Sequence, residues 1–195
     1  QSIRIPEGAY RELRHLINMR EIYATNRKTT KQRIKSLLLF VHLEDELKDV
    51  DKGWSNRYIQ GLKELTCTEG VRQRLDMLLM DLDYARSQTL AILSKLKVFC
   101  QQHQEIDRYR VYLQSIPGIG CITALTILSR IGDPANLKNP RELGAFIGLV
   151  PREHSTGDAV TKGSITHLGD QALRMLLVEA AWVAIRRDAE LNEFY

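Results

Sequence analysis

The sequence has no apolar run of about 18 residues or more, the length a membrane-crossing helix needs, and no charged-then-apolar leader at its start. A soluble cytoplasmic protein with no membrane partner is the expectation. Three cysteines, Cys67, Cys100 and Cys121, are odd in number and unpaired in spacing. They argue against a disulfide framework or a zinc site and for reduced thiols. Aromatic residues make up only 7% of the chain and the net charge is a modest +4, so charge alone identifies no partner. Proline and glycine are scarce before residue 115: of five prolines, only Pro6 precedes Pro117. No strand-periodic run precedes the first long helical pattern and no acidic cluster suited to metal binding is visible. The chain starts at Gln1 and runs straight into Arg4-Ile5-Pro6-Glu7, which leads us to expect a piece with something upstream.

What is present is helix-forming. From Glu7 to Asp45 the sole glycine is Gly8 and there is no proline, and apolar residues at Tyr10, Leu13, Ile17, Ala24, Ile34, Leu38 and Val41 keep a three-four rhythm. The spacing predicts one helix of roughly ten turns. Arg20, Arg27 and Lys31 fall on the same stripe, so its centre is not expected to be a dry core. Between Arg20 and Lys35 six cations face one carboxylate, Glu21. A solvated face accounts for such a run. A phosphate-contacting helix also does, through counterion release, with Arg27, Lys28, Lys31 and Lys35 as the candidates.

Gly53-Trp54-Ser55 breaks the pattern, and a short amphipathic segment with Tyr58, Ile59, Leu62 and Leu65 follows. From Val71 to about Gln114 neither proline nor glycine occurs. Val71, Leu75, Leu78, Leu82, Ala85, Thr89, Ile92, Leu96 and Phe99 alternate in steps of four and three. That is a heptad seam, which implies coiled-coil packing against the first helix, against another copy, or both; a bundle helix uses similar spacing. The fold class expected is mainly α: residues 1–112 a long helical coiled-coil hairpin arm, dimerising through its seam, and residues 113–195 a small helical domain.

At Ser115-Ile116-Pro117-Gly118-Ile119-Gly120 the composition changes, and an apolar helix starts at Cys121. The pattern predicts a helix-hairpin-helix, whose glycines permit close backbone approach and whose second helix opens with free N–H donors for a phosphate. Gly118, Ile119, Gly120 and Thr123 are the candidate DNA-backbone contacts, although Thr123 equally suits a first-turn cap.

Further on stand Ile131-Gly132-Asp133-Pro134, Ala145-Phe146-Ile147-Gly148-Leu149-Val150-Pro151, His154-Ser155-Thr156-Gly157, Gly163-Ser164-Ile165-Thr166 and Leu176-Leu177-Val178-Glu179-Ala180-Ala181-Trp182. In this order, after the Ser-Ile-Pro-Gly-Ile-Gly turn, they resemble the insertion-sequence transposases of the IS110 type, relatives of the Piv invertases. The resemblance is dense from Leu113 to Arg187 and looser over the Ile5-Pro6-Glu7 entry and the arm. It implies a recombinase with an N-terminal ribonuclease-H-like domain holding divalent metal (Mg) on four acidic residues, then a coiled coil, then a serine-bearing C-terminal domain. In some members an element-encoded guide RNA bridges donor and target DNA. This chain resembles the second half only, with no metal or cofactor expected in it and no strand cleavage expected of it alone.

By that resemblance Ser155 is the nucleophile that attacks a DNA phosphate. The residues by themselves show no triad-like partner set. Where many members carry a basic stretch, this chain has Asp158-Ala159-Val160-Thr161 and keeps Lys162, while His167 stands where lysine is frequent. Lys162 and Arg174 are the remaining candidate backbone contacts, His154 reads as a loop hydrogen-bonding residue, and Ser164 is the next candidate nucleophile. A last helix, capped by Asp170, sets Leu173, Leu176, Leu177, Ala180, Ala181 and Ala184 on one face, with Trp182 also expected in the core. The alternative to a recombinase part is a non-catalytic module that binds nucleic acid and dimerises.

Overall fold

The computed structural model describes residues 8–46, 53–137, 139–156, 159–165 and 169–194, and of 140, 151–165 and 194 the backbone only. The Ile5-Pro6-Glu7 entry, Gly157 and His167 lie outside the described residues. The fold is mainly α: α1 Ala9–Phe40, α2 Asn56–Glu64, α3 Glu69–Gln102, α4 Gln104–Gln114, α5 Cys121–Ile131, α6 Pro140–Ile147, α7 Gln171–Arg187 and α8 Ala189–Phe194. One antiparallel hairpin, β1 Pro151–Thr156 and β2 Ala159–Ile165, interrupts them. It is a correction, because this stretch reads as loop in the sequence.

Two compact units share these helices, one of Asn18–Leu96 and one of Gln1–Ile17 with Lys97–Tyr195. In the first, α1 and α3 bury Ile34, Leu37 and Leu38 with Leu75, Leu79 and Leu82, and α2 closes the cluster with Tyr58 and Leu62. From Asn18 to Thr29 no residue of α1 is buried, which is where Arg20 and Arg27 interrupt the apolar stripe. The α3 seam from Leu75 to Phe99 is buried within the chain apart from a half-buried Leu78. The burial of that seam therefore requires no second copy, and the reason for expecting dimerisation there falls away.

Helix α1 ends at Phe40, short of the expected Asp45. His42 takes a left-handed φ of 57°, its N–H bonds Leu39 O at 3.2 Å and the Leu43 N–H bonds Leu38 O at 2.9 Å. Those two bonds make a Schellman cap, normally marked by glycine. The expected continuous helix to Gln114 also breaks, at His103, whose ring packs on Phe99 with centroids 4.3 Å apart. Glu105 and Asp107 then sit in the first turn of α4, where the helix dipole favours carboxylates.

In the second unit Ile127, Ile147 and Leu173 form a buried cluster with Leu113, Ile119, Ile131, Leu143, Leu176 and Leu177 packed on it. Leu173, Ala180 and Ala184 of α7 are buried. Trp182 is not in the core: it is 48% exposed, because α7 buries a narrow stripe and Trp182 lies off it.

Candidate nucleic-acid interface and serine hairpin

Helices α4 and α5 pack on each other across the turn 115–120. Leu113 and Ile116 are linked by an N–H to carbonyl bond of 3.2 Å, and Ile116 and Ile119 by one of 3.1 Å, so the chain reverses through consecutive tight turns. Pro117 and Gly118 occupy the apex. Gly118 has φ +89°, and a Cβ built on it would run into the Ala180 carbonyl oxygen and lie 3.1 Å from the Ala180 carbonyl carbon and 3.2 Å from the Ala184 nitrogen. The close approach that this glycine allows is thus to the backbone of α7. Ile119 packs on the apolar cluster, a position that leaves its side chain in the protein.

Gly120 differs. It is the N-cap of α5 with φ −83°, no side chain bonds the first-turn amides, and a Cβ there would meet nothing within 4 Å. The exposed N-terminus of α5 therefore offers amide donors and the positive end of an eleven-residue helix. Thr123 is half-buried in the first turn and caps nothing through its side chain.

The strand with Ser155 is pinned at both roots. Before β1, α6 ends on Gly148 at φ 74° in the left-handed region, with Leu149 N–H bonding Gly144 O at 2.8 Å. After β2, Gly169 at φ +112° presses its backbone onto that same end: a Cβ on it would lie 2.7 Å from Gly148 N and 2.8 Å from both Ile147 C and Phe146 O. Asp170 donates its N–H to Phe146 O at 3.2 Å, and its carboxylate accepts from Leu173 N at 2.9 Å as the α7 cap. Arg130 of α5 reaches the same carboxylate at 3.6 Å. Arg174 donates from Nε to Ile147 O at 2.9 Å, so this candidate backbone contact ties α7 to the end of α6.

Within the hairpin, Ser155 pairs with Val160 and Lys162 with Glu153, with a register shift between Pro151 and Glu153. His154 pairs with Thr161, and Ser164 lies in β2. The shared base brings Ser155, Arg130, Asp170 and Arg174 onto connected elements. Gly118 sits against a later turn of α7 while Gly120 stands in open space, and Arg27, Lys28, Lys31 and Lys35 belong to the other unit. Sequence reading missed Arg130, Asp170's ion pair and Gly169; the last had a signal, a lone glycine just ahead of a capping aspartate. Among the described residues no three His, Cys, Asp or Glu side chains gather to hold a metal. No described helix is long and apolar enough to cross a membrane.

A turn between α4 and α5 packed on α7, and a serine-bearing β-hairpin rooted at the end of α6, with a long helical arm earlier in the chain, define a mainly helical class of protein. Residues 111–195 match the family model described as Transposase IS116/IS110/IS902 family. The chain is 41% identical over 98 residues to the transposase for insertion sequence element IS1328 of Yersinia enterocolitica, covering 45% of this chain and 29% of that protein. A putative transposase y4qE of Sinorhizobium fredii is 24% identical over 181 residues, 91% of this chain and 42% of the relative. A pilin gene-inverting protein of Moraxella bovis is 35% identical over 92 residues, 46% of this chain and 29% of that protein. The chain thus spans less than half the length of each of these relatives.

Proposed function

We propose that this chain is the DNA-gripping and serine-bearing part of an insertion-sequence transposase working in the cytoplasm. The N-terminus of α5 holds the DNA backbone and Ser155 supplies the nucleophile for strand transfer. The observation that carries this reading is the double rooting of the serine hairpin by Gly148, Gly169 and Arg174 on the helix that also seats the turn. A nucleophile on a fixed base meets its phosphate without a search, which is where most of the benefit of orientation lies. Along α7 the serine root at Asp170 and the turn contact at Ala180 are separated by about 15 Å at the helical rise. That is some four or five nucleotide steps along a strand.

In the reaction proposed, the Ser155 hydroxyl gives up its proton as Oγ bonds to phosphorus. The ester bond from phosphorus to the departing sugar oxygen breaks, and that oxygen takes a proton. The product is a phosphoserine-linked DNA strand and a free hydroxyl end. Any divalent magnesium that assists it belongs, in this reading, to an acidic domain outside these residues, and an element-encoded guide RNA is the second nucleic-acid partner implied. Lys162 on the same hairpin is the cation proposed for the phosphate; Arg174 serves by holding the hairpin's root.

Fluorescence anisotropy with a labelled duplex tests the grip. Gly120→Leu fills the open space before α5 and should weaken binding about ten-fold while the far-ultraviolet dichroism stays unchanged. Equal affinity for Gly120→Leu and the parent chain would reject α5 as the contact. The non-catalytic alternative is supported by the same free helix N-terminus, and is separated from the first by whether Ser155 ever becomes covalently attached to DNA.

A further inference from the structure

We infer that the arm carries a separate site for single-stranded nucleic acid, in which an unpaired base stacks on Trp54 while Arg27, Lys28, Lys31 and Lys35 hold its phosphates. This deepens the reading of the basic stripe and is independent of the α5 contact. A groove of about 420 Å³ is lined by Ala24, Arg27, Lys28, Lys31, Gln32, Lys35 and Trp54, with four cations and no carboxylate among them. A larger groove of about 880 Å³ shares Arg27, Lys31 and Trp54 with it but also includes Asp76 and Asp83, so the phosphates are assigned to the smaller one.

Trp54 is half-buried, packed on the apolar cluster of the arm, and its remaining surface lines the groove. It adopts φ 62°, a left-handed conformation that is an outlier for a bulky residue and of the kind that collects at binding sites. Its ring meets Tyr58 edge-on, centroids 5.4 Å apart at 76°, and Lys31 Nζ stands 4.9 Å from its centroid. The Lys31 ammonium is pushed below its ordinary range by partial burial first, and then by Arg27, Lys35 and Arg86. An arriving phosphate relieves this crowding of like charge. A duplex has no free base face to offer the indole, whereas every unpaired base does.

The test uses Trp54 as its own reporter in a Trp182→Phe background, titrated with oligo-dT, oligo-U and a duplex of equal length. Both single strands, or either one, should quench the fluorescence saturably, and the duplex should not; the tighter of the two names the strand. Trp54→Ala should weaken single-strand binding by about ten-fold or more, as loss of one stacked base does, with Trp54→Phe restoring much of it. Lys35→Ala should lower the salt slope by about 0.7. No quenching by either strand, quenching equal with the duplex, or a Trp54→Ala chain that binds like its parent would overturn the site. Gly120→Leu should leave the quenching intact, which keeps this result apart from the α5 contact.

Discussion

Replacing Gly118 with alanine separates a folding glycine from a DNA-contacting one. At φ +89° an L-residue pays roughly 1–2 kcal/mol for the left-handed backbone. The added methyl runs into the Ala180 carbonyl oxygen and crowds the Ala184 nitrogen at 3.2 Å, both backbone atoms inside α7 that move only with the helix. Overpacking of that kind adds about 1–3 kcal/mol. Gly118→Ala should therefore cost about 2–5 kcal/mol, which for a chain this long lowers the melting temperature by roughly 4–20 °C. Gly120→Ala, in open space at φ −83°, should cost less than about 1 kcal/mol. Urea unfolding followed by circular dichroism measures both. A Gly118→Ala chain within about 0.5 kcal/mol of the parent would refute the packing argument and make Gly118 a candidate DNA contact again.

Gly169→Ala, with its Cβ 2.7 Å from Gly148 N, should destabilise the second unit by about 2–4 kcal/mol, read as a lower urea midpoint; an unchanged midpoint would mean that the hairpin roots are not clamped. Leu78→Lys with Leu82→Lys should unfold the arm, by about 3 kcal/mol or more, since Leu82 is buried within one chain; monomers of full helicity would instead restore the buried seam as an intermolecular one. Lys31→Gln should leave the melting temperature equal or higher near neutral pH. The fold disfavours the Lys31 ammonium, so the unfolded chain binds more protons between that lowered value and the ordinary 10.5, and the parent should gain stability as pH rises through this window while the variant does not. A parent and variant with parallel pH profiles would count against the crowded charge.

The long helices and the α3 seam were readable because a three-four rhythm survives over many turns. Their ends were less so: His42 stands in a cap where glycine is the usual marker, and the break at His103 carries neither glycine nor proline. The strand pair was missed although Val160, Thr161 and Ile165 are β-branched and Gly157-Asp158 separates the two strands in the sequence, a hairpin signal. The turn at 115–120 was legible as a turn. Which surface its glycines touch was not, because Gly118 and Ala180 lie 62 residues apart in the sequence and meet only through the packing of α7. Trp182 was placed in the core on hydrophobicity alone, which a narrow buried stripe overrides. The ion pair of Arg130 with Asp170 is likewise a long-range product of the fold.

Ser155 is the residue on which the proposed chemistry depends. A full-length protein carrying this chain, incubated with end-labelled element DNA and its RNA where one is used, should give a covalent protein–DNA band on a denaturing gel. With Ser155→Ala that band should vanish, while duplex binding stays within about two-fold, because the change removes one hydroxyl and no backbone donor. A band of equal strength from Ser155→Ala would contradict the assignment and move the nucleophile elsewhere, with Ser164 on the paired strand the first residue to test.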